Sequence, residues 1–245
     1  MEYLYFTIVA IVSYLIGTIN FAKILSWKAR RKDITKIGSK NPGTMNMLRS
    51  YGFGLALATF VAEVIKSGLT CLIAKLIFPQ FDQLIYFFAG FFLMMGNNFP
   101  VWSKFKGGKG VACFAGVMLF SNLWYVAIGW FFICFVLLVL VDIGSVVSFT
   151  YIGGLAIAYT IYAWLTPIPY AWAVTMLIWV MYAIMIIKHH ANLARLFKGQ
   201  ENHVGFKDKL KKAFSKKKGE VQIEEQTSKD IEKEIIVQDN EQKED

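Results

Sequence analysis

Seven long apolar runs constrain the fold of this 245-residue chain more than any other feature of its sequence. The runs lie at about residues 3–25, 52–78, 83–101, 110–121, 123–141, 146–166 and 169–187. A bilayer core about 30 Å thick requires roughly 20 apolar residues per helix. Only helices and closed barrels satisfy the backbone inside a bilayer, and these runs lack the alternating polarity of barrel strands. The sequence therefore predicts an all-α, polytopic membrane protein with a bundle of about seven transmembrane helices.

Two breaks between the runs are clear in the sequence. The fourth run is only about a dozen residues long, and Ser121 and Asn122 separate it from the fifth. We expect this run to reach part-way across the membrane and to form a tight hairpin with the next helix. Pro167 and Pro169 separate the sixth run from the seventh, because proline interrupts a helix.

The composition excludes an ordinary soluble protein. Hydrophobic residues make up 56% of the chain and charged residues 18%, whereas a soluble domain carries about 25% charged residues. The formal net charge is +9, but the basic residues are concentrated in particular loops. This distribution indicates membrane topology and anionic lipid or substrate rather than nucleic acid.

Three cysteines, Cys71, Cys113 and Cys134, all lie in apolar runs and have no CxxC spacing. We expect buried free thiols, with neither a disulfide framework nor a metal site.

Lysine and arginine follow the odd-numbered apolar runs almost exclusively. They form clusters within residues 28–49, 104–109 and 188–198, whereas the other connections have only Lys75 nearby. Cytoplasmic loops are enriched in these residues. The sequence therefore predicts an N-terminus outside, a C-terminus in the cytoplasm, and every polar loop at the cytoplasmic face of the inner (plasma) membrane.

Composition also divides the chain into two parts. Residues 1–205 are predicted to form a membrane-embedded domain. Residues 206–245 are lysine-rich and then acidic, with few aromatic residues, so we expect a weakly ordered cytoplasmic tail.

Loop 1, residues 38–49, is a polar, glycine-punctuated stretch between two apolar runs. Pro42 and Gly43 favour a turn. Ser39, Asn41 and Asn46 add small hydrogen-bonding groups, and Arg49 adds a fixed positive charge. Such a loop is suited to holding a phosphate or carboxylate.

Loop 2, residues 96–111, carries three glycines around Lys109, just before a predicted helix. Backbone N–H groups in such a segment can converge on an anion at a helix N-terminus. The sequence lacks the G-x-x-x-x-G-K-[ST] spacing of a P-loop. An ordinary lysine cluster at a membrane edge is the alternative.

Loop 3, residues 142–148, is a weaker candidate, because Ser145 could simply cap the following helix.

Loop 4 comprises residues 188–201. It contains His189, Asn192 and Arg195 at the spacing i, i+3 and i+6. If the helix continues, these three side chains share one face and suit anion binding and proton handling.

Glu63 and Lys66 stand near the middle of the second run at i,i+3 spacing. This spacing allows a structural ion pair on one helix face. The alternative is a role in substrate or proton handling, as in a small organic-anion transporter.

Together the loops resemble the PlsY family, the acyl-phosphate:glycerol-3-phosphate acyltransferases of bacterial membranes. The first family motif, approximately S-x-N-P-G-A-T-N-x-x-R, aligns with residues 39–49 of this chain. The second, G-H-x-x-P followed by F-x-G-G-K-G-V-A, aligns with residues 96–100 and 105–112. The last, H-x-x-N-I-x-R-L-x-x-G-x-E, aligns with residues 189–201, and the resemblance covers about residues 10–202.

The resemblance implies a monomeric enzyme without cofactor or metal. It would transfer a fatty acyl group from acyl phosphate to the 1-hydroxyl of glycerol 3-phosphate, giving lysophosphatidic acid and phosphate. The implied catalytic residues are Ser39, Lys109, His189 and Asn192. The implied substrate-binding residues are Asn41, Gly43, Asn46, Arg49, Lys106, Gly107, Gly108, Ser145 and Arg195.

Four positions differ from the family pattern. Met45 stands in place of the usual threonine, and Asn97 in place of the usual histidine. Asn20 stands where proline is common, and Asp142 stands where arginine is common. The alternative within the same class is therefore a diverged acyltransferase with another acceptor or donor. No loop offers an obvious carboxylate as base for the acceptor hydroxyl, so we expect a substrate phosphate to serve.

Overall fold

The computed structural model describes residues 1–205, and helices account for each of the apolar runs. The α-helices in this range are α1 Glu2–Gly17, α2 Phe21–Arg30, α3 Thr44–Tyr51, α4 Phe53–Ile77, α5 Asp82–Asn98, α6 Val111–Leu119, α7 Trp124–Val141, α8 Gly144–Leu165, α9 Ala171–Lys188 and α10 His190–Phe197. Single 3-10 turns lie at Ile34–Lys36, Pro79–Phe81 and Val101–Ser103. Strand pairing within residues 1–205 is limited to one isolated antiparallel bridge between Ile143 and His203. The predicted all-α class is confirmed, and the predicted tail lies outside the described residues.

Six helical segments of residues 1–205 are long and apolar enough to cross a membrane, whereas the sequence predicts about seven. The difference arises at the run 110–121, which forms only the nine-residue α6. At 1.5 Å per residue α6 is about 14 Å long, roughly half of the hydrocarbon thickness. Helix α6 is therefore shorter than a membrane span, and a short connection joins it to α7.

The first apolar run is broken between α1 and α2. Two charged side chains of α4 form hydrogen bonds with backbone groups that the break leaves without helical partners. Glu63 Oε1 accepts a hydrogen bond from Phe21 N at 2.8 Å, and Lys66 Nζ donates to Ile19 O at 2.8 Å. The two side chains also form an ion pair and are each 6% exposed. Asn20 caps α2 by accepting from Lys23 N at 2.9 Å. Because unpaired backbone groups are costly inside a membrane, these contacts favour the structural interpretation of the pair.

Helix α5 is the most buried of the candidate spans and packs against α1, α4 and α9. Glycines allow its closest approaches, because an added Cβ at Gly96 would lie 2.0 Å from Tyr14 O of α1. Likewise, a Cβ at Gly17 of α1 would lie 2.0 Å from Leu93 O. Small residues at such crossings are typical of helix packing in membranes, where dispersion replaces the hydrophobic effect.

The bundle brings the ends of four helices together at one face. Lys188 Nζ at the end of α9 donates to Asn98 O at the end of α5, at 2.8 Å. Asp142 at the end of α7 accepts Val204 N through its carbonyl at 2.9 Å, and α8 begins two residues later. Loops 2, 3 and 4 therefore lie at the same end of the bundle.

Apolar side chains of the outer helices α1, α7 and α9 point outward, as expected of surfaces that face lipid.

Candidate functional site

A buried carboxylate, Glu201, lies at the centre of the loop cluster, with its side chain 2% exposed. One oxygen accepts hydrogen bonds from Ser145 Oγ at 3.3 Å and from Asn192 Nδ2. The other accepts Arg195 Nε at 3.0 Å. The Asn192 amide oxygen in turn accepts a hydrogen bond from Lys109 Nζ. Loops 2, 3 and 4 thus meet through a single network of hydrogen bonds.

Loop 1 joins this cluster through Arg49. Its guanidinium donates to His203 O at 3.1 Å and to Asn202 O at 3.2 Å. Burial lowers the pKa of Arg49, while the nearby Glu201 carboxylate raises it. The predicted convergence of four loops is therefore present in the structure.

The cluster holds more cations than carboxylates. Lys109 interacts electrostatically with Glu201 and with three other cations, Arg195, Arg49 and Lys188. Burial is the larger influence and lowers the pKa of Lys109 to about 8. The cluster has the excess positive charge and the partly water-excluded setting that favour binding of a phosphate dianion.

His189 is 3% exposed, and its ring has a defined orientation. Nδ1 lies 2.8 Å from Met185 O, and since a carbonyl only accepts, Nδ1 carries the proton. Burial and the charge of Lys109 lower the pKa of His189 to about 4. At neutral pH the imidazole is therefore uncharged, and Nε2 is its hydrogen-bond acceptor.

The predicted ligand Asn46 is 1% exposed and is bonded to the backbone of its own loop. Its oxygen accepts Ser39 N at 2.9 Å, and its Nδ2 donates to Ile34 O at 3.2 Å and to Ile37 O at 2.9 Å. Asn46 thus holds the turn that presents Ser39, whose side chain is exposed. Ser39 is connected to the Glu201 cluster through α3, which carries both Asn46 and Arg49.

The start of α3 contains an unpartnered polar atom. Gly43 precedes the helix with no side-chain cap, and its N–H donates to Asn41 O at 3.0 Å. The Thr44 hydroxyl is shielded from solvent and has no hydrogen-bond partner within residues 1–205. A buried hydroxyl normally has a partner, so this atom marks a place where a ligand could bind.

Loop 2 is folded back on the end of α5 through its glycines. Gly108 N donates to Asn97 O at 2.9 Å, and a Cβ at Gly107 would lie 2.1 Å from the same oxygen. Gly110 precedes α6 with φ of 84°, a left-handed conformation that favours glycine. Gly107 and Gly110 therefore have structural roles that fix the backbone on either side of Lys109. The predicted ligand Lys106 is exposed.

Loops 3 and 4 each differ in one detail from the sequence interpretation. The residue preceding α8 is Ile143, so Ser145 lies inside the helix and does not cap it; its hydroxyl binds Glu201 instead. The helix of loop 4 is interrupted at His189, between α9 and α10. Asn192 and Arg195 still share a face, since both contact Glu201.

Several residues in the cluster were not among the predicted site residues. Glu201 is the foremost; it matches the last motif, but the motif does not show that its carboxylate is buried. Lys188 was counted only as a topology signal, although its ammonium lies 4.6 Å from the centre of the Phe99 ring. The carbonyls of Asn202 and His203 have no side-chain signature and could not be found by motif.

The four positions that depart from the family pattern all have defined contacts. Asn20 Nδ2 donates to Pro42 O at 3.0 Å, tying the α1–α2 break to loop 1. Asn97 Nδ2 donates to Asn98 Oδ1 at 3.1 Å beneath loop 2. Met45 packs so closely on α8 that a Cβ at Gly144 would lie 2.7 Å from its Cε. Asp142 faces His203, with Oδ2 and Nδ1 3.5 Å apart.

Comparison with known proteins identifies the family of this chain. Residues 7–199 match the family model described as glycerol-3-phosphate acyltransferase. The glycerol-3-phosphate acyltransferase of Bartonella henselae is 36% identical over 205 residues, covering 81% of this chain and 91% of that protein. The protein of the same name from Finegoldia magna is 36% identical over 209 residues, covering 84% of this chain and 99% of its own length.

Two solved structures have the same fold. Both are crystal structures of PlsY, an integral membrane glycerol 3-phosphate acyltransferase, in a glycerol 3-phosphate form and a lysophosphatidic acid form. The first superposes with a TM-score of 0.69 at 27% identity, covering 81% of this chain and 94% of that one. The second gives a TM-score of 0.68 at 26% identity with the same coverage. The family match over most of the chain, the relatives above 30% identity and the shared fold show that this protein belongs to the PlsY family of glycerol-3-phosphate acyltransferases.

Proposed function

We propose that this protein transfers a fatty acyl group from acyl phosphate to the 1-hydroxyl of glycerol 3-phosphate. The products are lysophosphatidic acid and inorganic phosphate. The observation that carries the proposal is the convergence of loops 1 to 4 around Glu201, which gathers Arg49, Lys109 and Arg195 at one face of the bundle. Family membership supports the same reaction.

Both substrates are phosphate anions, and the cluster is suited to hold them side by side. Arg49 and Lys109 supply charge, and the unpartnered Thr44 hydroxyl at the start of α3 supplies a further polar contact. Positioning accounts for much of the rate enhancement, because acyl phosphate is already activated and requires no protein nucleophile. Of the remaining predicted ligands, Ser39, Asn41 and Gly43 contact substrate from loop 1, and Lys106 and Gly108 from loop 2.

The chemical step forms one bond and breaks another. The acceptor oxygen attacks the acyl carbonyl, the bond between the acyl carbon and the phosphate oxygen breaks, and phosphate leaves with its electron pair. Negative charge develops on the carbonyl oxygen, and the Lys109 ammonium, held by Asn192, stabilises it.

The acceptor hydroxyl must also lose its proton. His189 Nε2 accepts a hydrogen bond from that hydroxyl and orients it, but a pKa of about 4 makes the imidazole a poor final base. Glu201 already accepts hydrogen bonds from Ser145, Asn192 and Arg195. A phosphate group with a second pKa of about 6 is the better acceptor, so the proton passes to a substrate phosphate.

The reaction takes place at the cytoplasmic face of the plasma membrane, and the protein acts as a monomer with its N-terminus outside. The lysine and arginine clusters in loops at the site end of the bundle support this orientation. All three native cysteines are buried, whereas position 36 is exposed. A cysteine in place of Lys36 should therefore be the main site of maleimide labelling, and its accessibility reports on which side of the membrane the loop lies. An impermeant maleimide should label it in inside-out vesicles and not in right-side-out vesicles; the reverse result would invert the topology.

The direct test is incubation of purified protein with palmitoyl phosphate and glycerol 3-phosphate, with detection of lysophosphatidic acid. Parallel reactions with acyl-CoA and acyl carrier protein thioesters test the alternative donors, and other phosphorylated polyols test the alternative acceptors. Product from another donor or acceptor alone would identify a diverged acyltransferase. Flux of organic anions into liposomes without acyl transfer would overturn the enzymatic proposal.

A further inference from the structure

The segment Glu201–Val204, termed the strap, crosses the site and is attached to three loops. It follows the range 7–199 that matches the family model. The strap begins at Glu201, the last residue of loop 4, whose carboxylate is bonded to Ser145 of loop 3 and to Asn192 and Arg195 of the same loop. Its other end is anchored by Val204, which is 2% exposed. The strap is thus held at both ends within the compact unit that ends at Val204.

The middle of the strap contacts Arg49 from loop 1. Two backbone carbonyls, those of Asn202 and His203, accept hydrogen bonds from Nη2 and Nε at 3.2 and 3.1 Å. A guanidinium has five N–H donors in a rigid plane, so two fixed acceptors define its orientation. The carbonyl acceptors themselves add no charge, and the countercharge near Arg49 comes from the carboxylates of Glu201 and Asp142.

Asp142 holds the strap in register at two points. Its carbonyl accepts Val204 N at 2.9 Å, and its carboxylate Oδ2 lies 3.5 Å from His203 Nδ1, which is an ion pair when the imidazole is protonated. The neighbouring Ile143 pairs with His203 as an antiparallel bridge. Asp142 has φ of 58° at the end of α7, a left-handed conformation that aspartate and asparagine tolerate.

We propose that Asp142 and His203 are positioning residues, which fix the strap so that its carbonyls aim the Arg49 guanidinium at a substrate phosphate. This inference rests on the proposed function, in which Arg49 binds such a phosphate. The residue type at position 142 matters, since a side chain without an acceptor there would leave the His203 ring without this contact.

The side-chain contact can be separated from backbone strain by comparing Asp142→Gly with Asp142→Asn. Glycine and asparagine both accept positive φ, but only asparagine offers an oxygen to His203. We expect Asp142→Gly to raise KM for one phosphate substrate about three- to fivefold, the size of one exposed polar contact, with kcat changed less than about twofold. Asp142→Asn keeps an oxygen for His203 but removes the carboxylate charge that also acts on Arg49. Its constants should stay within about twofold of the unmodified protein, and a rise in KM equal to that of Asp142→Gly would assign the effect to charge and contradict the positioning role.

His203→Ala removes the other partner and should reproduce the Asp142→Gly effect, with no added effect in the double variant. His190→Ala is the matched control, because His190 is exposed and, among the residues that the structure describes, its ring has a hydrogen-bonding contact with Ile187 O of its own segment. Titrating glycerol 3-phosphate at fixed acyl phosphate, and the reverse, identifies which phosphate Arg49 holds; a rise in either KM supports the inference.

A positioning role also requires dependence on Arg49. In an Arg49→Lys background, which cannot make the two-point contact, Asp142→Gly should no longer change KM. Unchanged KM in Asp142→Gly and His203→Ala, or effects that persist in full with Arg49→Lys, would overturn the inference. Failure of the proposed function is distinguishable, because the unmodified protein would then show no acyl transfer at all.

Discussion

The amide oxygen of Asn192 accepts a hydrogen bond from the ammonium of Lys109, although 83 residues separate them in the chain. The same amide donates through Nδ2 to Glu201. An amide has a donor end and an acceptor end, so Asn192 links the cation to the carboxylate without bringing them into direct contact. Lys109 is therefore held in place while its charge is only partly offset, which suits a residue that must attract a phosphate.

Replacement of Lys109 by alanine should reduce kcat about 10²- to 10³-fold, because one preorganised charge on the developing oxyanion is worth that much. The protein should remain folded in detergent, since the lysine pays a desolvation penalty in its buried setting. Steady-state kinetics and thermal unfolding measure both effects. Lys28→Ala, at an exposed position of α2, is the control and should be neutral. Full activity of Lys109→Ala would remove loop 2 from the site.

The free enzyme should lose activity as pH rises through about 8. Burial lowers the pKa of Lys109 to about 8, so above that pH the amine is neutral and no longer attracts phosphate. Because kcat/KM reports the free enzyme, it should fall about tenfold per pH unit beyond this point. The phosphate of glycerol 3-phosphate, with a second pKa of about 6, stays dianionic over this range and does not interfere.

Arginine at the same position provides the control for this pH effect. The arginine in Lys109→Arg stays charged, so the fall in kcat/KM should move to higher pH. Unfolding does not explain the fall in kcat/KM above about pH 8. The pKa of Lys109 is higher in the unfolded chain than in the folded one, so raising the pH favours the folded state. The contribution of Lys109 to the free energy of unfolding therefore increases between about pH 8 and 10.5. An unchanged pH dependence in Lys109→Arg would assign the fall to another group.

Glu201→Ala should cost about 1–3 kcal/mol of folding stability, since removing the carboxylate leaves Ser145 and Asn192 without their buried acceptor and Lys109 without a nearby countercharge. Glu201→Gln keeps the shape but presents an amide in place of the charge, and should also lose most activity. Thermal unfolding in detergent and acyl transfer at low temperature distinguish the two losses. Glu2→Gln, at the exposed start of α1, is the control. Wild-type stability and kinetics in Glu201→Gln would contradict a central role for the carboxylate.

Much of this arrangement follows from the sequence for physical reasons. Apolar run length specifies the spans, because a helix must cross a fixed thickness. The charge pattern and the motif residues Lys109, Asn192 and Arg195 indicate which loops meet. Length alone cannot specify α6, whose start depends on the left-handed backbone of Gly110 and on tertiary contacts with α4.

The centre of the site is less accessible to sequence reasoning. Glu201 stands among polar residues at the end of the matched region, so nothing local indicates that its side chain is buried. The carbonyls that bind Arg49 belong to Asn202 and His203, and any residue type could supply them. Asn46 is a different case, since its polar side chain suggests a ligand and the structure shows that it also bonds the backbone around Ser39.

The pair Glu63–Lys66 should behave as a structural cap of the α1–α2 break. Lys66→Met leaves the Glu63 charge buried without its cation and should cost about 3–5 kcal/mol. Glu63→Gln combined with Lys66→Met should be more stable than Lys66→Met alone, because glutamine is neutral and still accepts Phe21 N. Thermal unfolding gives both values. Loss of acyl transfer in the double variant at wild-type stability would instead favour a functional role for the pair.

Gly107→Ala should disable loop 2 by a steric effect on the backbone. The new Cβ would lie 2.1 Å from Asn97 O and 2.4 Å from Pro100 Cδ, far inside van der Waals contact. The carbonyl that must move also accepts Gly108 N, and that bond sets the backbone next to Lys109. We expect a loss of about 1–3 kcal/mol in stability, as for other overpacked sites, and at least a tenfold loss of kcat.

A second glycine provides the matched control for that variant. Gly129 lies within α7, and a Cβ there would meet no atom of the other described elements within 4 Å. Gly129→Ala should leave acyl transfer unchanged and stabilise the helix by up to about 1 kcal/mol. If Gly107→Ala matched Gly129→Ala in both stability and kcat, the contact between loop 2 and Asn97 would not control the position of Lys109. A selective loss in Gly107→Ala would show that the fold of loop 2, and not only its charge, determines activity.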